Sequence, residues 1–215
     1  MSRTTFIQLS ALAAMIGSVL VSLGLVGETL LIYGSTGYAG ESLTASTAML
    51  AGAVLMLIGM VGFGFAYARR TGGLGQGGLL LALLGLSSFT VGLVSPVMKN
   101  VGQDLPAWPA MVFLGLVVMC AGMALFALAC VRQHVLAIPA ALLLLVGGVG
   151  AAIGHILLVF SFLAHPSDMD AAVIASRTSF VVGTVLFLVG FFLVGSGLWS
   201  DSGAAVRPAE HPVAG

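Results

Sequence analysis

The sequence predicts an all-α fold, a polytopic transmembrane bundle of six spans with glycine-rich packing seams. Three observations predict it. Of 215 residues, 60% are hydrophobic and only 7% are charged, against about 25% charged in a soluble domain. The apolar residues gather into six stretches near the ~20 residues that a helix needs to cross a bilayer. Thirty glycines lie mostly inside those stretches, where they let membrane helices approach closely. Seven basic and seven acidic residues cancel, so there is no basic field to hold nucleic acid.

The spans follow in order. Span one, residues 6–26, comes after Arg3; it is longer than a usual signal core and no A-x-A site follows, which predicts an uncleaved helix. The loop "YGSTGYAGES" leads to span two, 45–68, which ends at Arg69 and Arg70. The glycine-rich break "RRTGGLGQ" precedes span three, 78–97, and "SPVMKNVGQDLPAWP" separates it from span four, 108–131. The short "RQHV" turn forces span four and span five, 137–163, into an antiparallel hairpin. In "HPSDMDAAV", Ser167 can cap a helix and Asp170 suits its positive end. Helix six is therefore expected to start outside the membrane, enter near Arg177 and span 178–199. Residues 1–199 form one transmembrane domain, and 200–215 read as a short mobile cytoplasmic tail.

Basic residues set the orientation. With six spans, Arg3, Arg69, Arg70, Arg132 and Arg207 share one side, and Lys99 and Arg177 the other. Both termini are expected in the cytoplasm, with the chain a multi-pass protein of the bacterial cytoplasmic (inner) membrane. Trp108 and Trp199 stand at span ends, where indoles favour the interface.

The glycines keep a seven-residue interval on every span: Gly17 and Gly24; Gly52 and Gly59; Gly78, Gly85 and Gly92; Gly115 and Gly122; Gly147 and Gly154; Gly183, Gly190 and Gly197. Residues seven apart lie on nearly one helix face, so each span is expected to carry a smooth seam for close packing. A glycine-lined pore is the rival reading. "LIGMVGFGFAYAR" in span two aligns with "CAGMALFALACVR" in span four, and "LVGFFLVGSGLW" in span six follows more loosely. The pattern suggests three helical hairpins in tandem.

The stretches "FAYARRTGGLGQGGLLLALLG" and "ACVRQHVLAIPAALLLLVGG", with a last span ending in Trp199, carry a resemblance over spans two to six. The chain resembles a loose group of bacterial six-span integral membrane proteins with an arginine-ended second span and an arginine–short turn–proline step between spans four and five. The resemblance implies class and topology; the group has no assigned activity and lends no catalytic residue.

No Asp, Glu, Lys or Arg lies deep in a span. That argues against an ion-coupled pump, since intramembrane ionisable groups mark such pathways. No H-E-x-x-H, G-x-S-x-G, P-loop or dinucleotide fingerprint occurs. Cys120 and Cys130 would lie about 15 Å apart on one helix, too far for a disulfide, and read as small core residues. Ser87, Ser88 and Thr90 are expected to bond carbonyls of the preceding turn. A haem would lack facing ligands, because only His155 sits at depth. No metal, cofactor or catalytic residue is expected.

What remains is an outer collar of Glu28, Lys99, Asp104, His165, Asp168, Asp170 and Arg177. It reads as ordinary interfacial charge or as a polar vestibule floored by His155. His155 lies about 7 Å outward of the span's midpoint, beside Gly154 and seven residues from Gly148. It is expected to point into the bundle as a neutral ring whose N–H bonds a carbonyl or hydroxyl on a neighbouring span. The sequence thus predicts a non-enzymatic membrane protein acting through helix packing, with lipids, a second copy or another membrane protein as partners. The alternative is a small permease or channel whose substrate or proton site uses His155, Glu28, Arg177 and His165.

Overall fold

The computed structural model describes residues 2–34, 43–100, 109–164 and 171–204. Among these residues there are six helices and no strand: α1 (Arg3–Gly34), α2 (Leu43–Tyr67), α3 (Gly72–Asn100), α4 (Pro109–Arg132), α5 (Ile138–Ala164) and α6 (Ala171–Ala204). Each contains a stretch long and apolar enough to cross a membrane, so the chain is a multi-pass membrane protein. Large apolar side chains such as Leu23, Phe65, Leu80 and Leu84 are exposed on the outside. In water such a surface would aggregate; in a bilayer it is the lipid-facing skin.

Several helices outrun their predicted spans. α3 starts at Gly72 rather than 78 and runs past residue 97 to Asn100. Its early start follows from a compact turn. Thr71 Oγ1 and Gln76 Nε2 both donate to the Ala68 carbonyl at 3.2 Å, and Gly72 takes the left-handed φ of 64° that the reversal needs. α1 continues beyond residue 26 to Gly34. α6 continues through residues 200–204, so the start of the expected mobile tail is helical. Ser167, expected to cap helix six, lies outside the described residues, and the helix begins at Ala171.

The "RQHV" turn ends α4 in a Schellman motif. Val135 N donates to Cys130 O at 3.0 Å and His134 N to Val131 O at 3.3 Å. His134 occupies the left-handed position, φ 50°, which is usually taken by glycine.

Each helix packs on its neighbours in chain order, and α6 returns to α1, so the six helices close into a ring. The most extensive contacts join α1 to α2, α3 to α4 and α5 to α6. The seven-spaced glycines stand at those three interfaces. A Cβ on Gly17 would lie 2.7 Å from the Gly52 carbonyl oxygen, and one on Gly52 would lie 2.7 Å from that of Gly17. In the second pair, a Cβ on Gly78 would sit 2.7 Å from Gly122 O, one on Gly85 2.7 Å from Gly115 O, and one on Gly115 2.8 Å from Gly85 O. In the third, a Cβ on Gly154 would sit 2.5 Å from Phe180 N and one on Gly190 2.7 Å from Leu144 N. Gly24, Gly59, Gly92, Gly122, Gly147 and Gly183 meet the partner helix in the same way. Lipid tails are as apolar as leucine, so helices in a bilayer are held by close contact rather than by escape from water. Gly197 departs from the expectation: a Cβ there would meet nothing within 4 Å. The seam stops at Gly190.

The three hairpins repeat one pattern. On their second helices, Gly59, Gly122 and Gly190 face the hairpin partner, and the next residues, Met60, Met123 and Phe191, are fully buried. The same spacing gives three more layers: Met56, Met119 and Phe187; Phe63, Phe126 and Val194; Tyr67, Cys130 and Leu198. None of these twelve side chains is more than 4% exposed, and all belong to one core. Phe63 of α2 and Phe191 of α6 meet with ring centroids 5.0 Å apart. The inside of the ring is therefore filled mainly with methionine and aromatic side chains.

Candidate functional site

The site with the most chemistry in the described residues is built around His155 on α5. Two glycine stripes place it. Gly147 and Gly154 let α5 lie directly on the α6 backbone, at Phe187 and Phe180. Gly148 faces α4, where a Cβ would sit 3.0 Å from Cys120 O. His155 stands one heptad beyond Gly148 and so shares its α4-facing stripe. Two phenylalanines close on it. The Phe113 ring of α4 stacks at 4.9 Å between centroids and 27° between planes, and the Phe180 ring of α6 lies at 4.8 Å and 37°.

Among the described residues, the expected hydrogen bond to a neighbouring span is not there. Nδ1 and Nε2 of His155 are both buried, and neither has a hydrogen-bond partner among the described residues. The physical reason is the choice of neighbours: aromatic faces occupy the positions where a carbonyl or hydroxyl would be needed. A neutral imidazole carries one donor and one acceptor, and a buried unsatisfied polar group costs about 1–3 kcal/mol. The hairpin repeat sharpens the anomaly. Gly24, Gly92 and Gly154 hold the same place in α1, α3 and α5, and the residues after them are Leu25, Leu93 and His155. A histidine thus stands where the other two hairpins carry leucine.

The rest of the proposed vestibule is only partly visible. Glu28 and Arg177 belong to α1 and α6, neighbouring helices, and Lys99 belongs to α3. The side chains of Glu28, Arg177 and Lys99 lie outside the described residues, as do His165, Asp104, Asp168 and Asp170 in full.

The remaining polar groups have plain structural neighbours. Thr90 Oγ1 donates to Leu86 O at 2.7 Å, as expected, but Ser88 Oγ reaches across the hairpin to Met111 O at 3.2 Å. Ser87 is exposed on the outer face. Cys120 and Cys130 are free thiols buried in the core. Ser10 Oγ is buried against Gly62 with no partner among the described residues. No group of three or more His, Cys, Asp or Glu among the described residues could hold a metal ion.

At the opposite end of the bundle from the expected vestibule, Arg3, Arg69, Arg70 and Arg132 stand at the start of α1, the end of α2 and the end of α4. In the sequence they orient the chain, and Arg69 and Arg132 mark the ends of the repeated spans. The structure brings two of them, Arg3 and Arg69, into one groove.

No protein family matches the chain, and neither the curated proteins nor the solved structures contain a match.

Proposed function

We propose that this chain is a non-enzymatic protein of the bacterial cytoplasmic membrane that acts through the contacts of its outer face with a membrane partner, a second copy included. The observation that carries the reading is the filled ring. The four layers of methionine, aromatic and other apolar side chains leave the described helices packed against one another rather than around a polar path. The seam glycines are used up inside the three hairpins, so partner contact falls to outward faces such as Leu80, Leu84, Ser87 and Val91 of α3. Both termini belong on the cytoplasmic side, because Arg3, Arg69, Arg70 and Arg132 gather at one end. The bacterial setting rests on the resemblance to six-span bacterial proteins.

A photo-crosslinking residue at Leu84 tests the reading in native membranes. It should give one defined intermolecular adduct, whereas the same residue at Met123 should link only within the chain. In proteoliposomes the protein should add no flux of water or small neutral solutes over protein-free vesicles. A saturable flux would overturn the proposal.

The two nitrogens of His155, buried and without a hydrogen-bond partner among the described residues, favour a second reading, a permease whose solute or proton meets that ring. The arms separate cleanly. Under the packing reading, His155→Leu restores the repeat's own residue and should raise stability without loss of any phenotype. Under the permease reading, both His155→Leu and His155→Gln abolish flux in a folded protein.

A further inference from the structure

We propose that the groove between the start of α1 and the end of α2 is a binding site for the phosphate headgroup of an anionic phospholipid. The groove has a volume of about 710 Å³, a size typical of small-molecule sites at about 300–1,000 Å³. Ser2, Arg3, Phe6, Phe65 and Arg69 line it, and none of its lining residues is acidic. Two arginines therefore line one cavity that no carboxylate among the described residues lines.

The local structure holds this arrangement in place. Ser2 caps α1, its Oγ accepting from Thr5 N at 3.2 Å. Phe6 and Phe65 meet edge to face at 5.4 Å, which sets the distance between the two helix ends. Arg3 Nη2 donates to Phe65 O at 3.2 Å. That bond uses one of the roughly five N–H donors of a guanidinium and leaves the others for a ligand. Arg69 is exposed and makes no hydrogen bond or ion pair with the described residues.

The occupant follows from position and charge. Arginine pairs with phosphate oxygens through two parallel N–H bonds, and a basic cavity between membrane helices at the interface suits an anionic headgroup. Below the guanidiniums the wall is apolar and open to lipid. Phe65 is 59% exposed, and Val61 and Ile58 continue its face down α2, while Leu9 and Ile16 continue that of Phe6 down α1. A phospholipid places its phosphate at Arg3 and Arg69 and lays an acyl chain on this surface. A soluble phosphate would use the charges and leave the apolar wall bare.

The test is native mass spectrometry of the full chain released from micelles carrying equal phosphatidylglycerol and phosphatidylcholine. At least threefold more phosphatidylglycerol should remain bound. Arg69→Gln, which removes no contact within the described fold, should bring the two lipids to parity, and Arg3→Gln should do the same. Arg132→Gln, at the same end but outside the groove, should leave the preference intact. Equal retention of the two lipids by the unmodified chain would overturn the proposal. So would an equal loss in Arg132→Gln, which would mean a diffuse field. Displacement of bound lipid by millimolar glycerol phosphate would also overturn it, by making the site one for free phosphate. Melting curves in uncharged detergent should be unchanged for Arg69→Gln, which keeps a binding loss distinct from unfolding.

Discussion

Two kinds of interface alternate around the ring. Within a hairpin, backbone lies on backbone: Gly85 and Gly115 each present their carbonyl oxygen to the bare α-carbon of the other. Between hairpins, side chains intervene and a glycine contact is occasional. Gly64 of α2 meets a leucine methyl of α3, Gly148 of α5 meets Cys120 O of α4, and Gly195 of α6 meets Ala11 O of α1. The difference shows where specificity resides in a chain with so little polarity. Apolar side chains repack readily, but a helix that needs a flat strip has one partner that fits.

The harshest way to break this contrast is to fill a strip. Gly85→Leu or Gly122→Leu should cost about 3 kcal/mol each, the upper range for overpacking, because the nearest atoms are backbone and cannot turn aside. Thermal unfolding in detergent measures it; a loss below about 1 kcal/mol would mean the hairpin separates without penalty. Next comes Phe126→Ala in the filled ring. It should cost about 2 kcal/mol, less than the 3–5 typical of soluble cores, because lipid offers no hydrophobic penalty for the lost area. A smaller step, Gly148→Ala at a between-hairpin contact, puts a methyl 3.0 Å from Cys120 O and should cost about 1 kcal/mol. The mildest change is Gly197→Ala, where the space is open. It should raise stability by about 0.5 kcal/mol through helix propensity alone. If Gly197→Ala destabilised as much as Gly122→Leu, glycine itself rather than close approach would be the determinant.

Much of this was legible beforehand for a physical reason. Six apolar runs, their antiparallel order and the faces carrying Gly17, Gly52 or Gly122 depend on periodicity within one helix, and a sequence displays that directly. What a helix meets on the far side does not follow from its own period. The surroundings of His155 are hidden for that reason: its stripe can be placed beside Gly148 and Gly154, but Phe113 and Phe180 arrive from other helices. Gly197 kept the interval and still missed the seam, because nothing in α6 marks where α5 stops facing it. The early start of α3 was hidden in "TGGLGQGG", where glycine reads as loop by propensity and two side-chain hydrogen bonds to the Ala68 carbonyl make it a tight turn. Closure of α6 onto α1 is the least legible feature, since it joins the two helices farthest apart in the chain.

That closure makes hairpin order a matter of wiring rather than of architecture. The start of α1 and the end of α6 lie at the same end of neighbouring helices, so a short linker between them could carry the chain around the circle. The backbone could then be cut at residues 68–71 or 133–137, each a junction between hairpins, and every glycine strip would stay within one continuous segment. A cut in the connection between α3 and α4 would instead split a strip between two ends. A permuted chain of the first kind should still insert two helices at a time, as ready-made wedges, and only the last wedge would complete the circle.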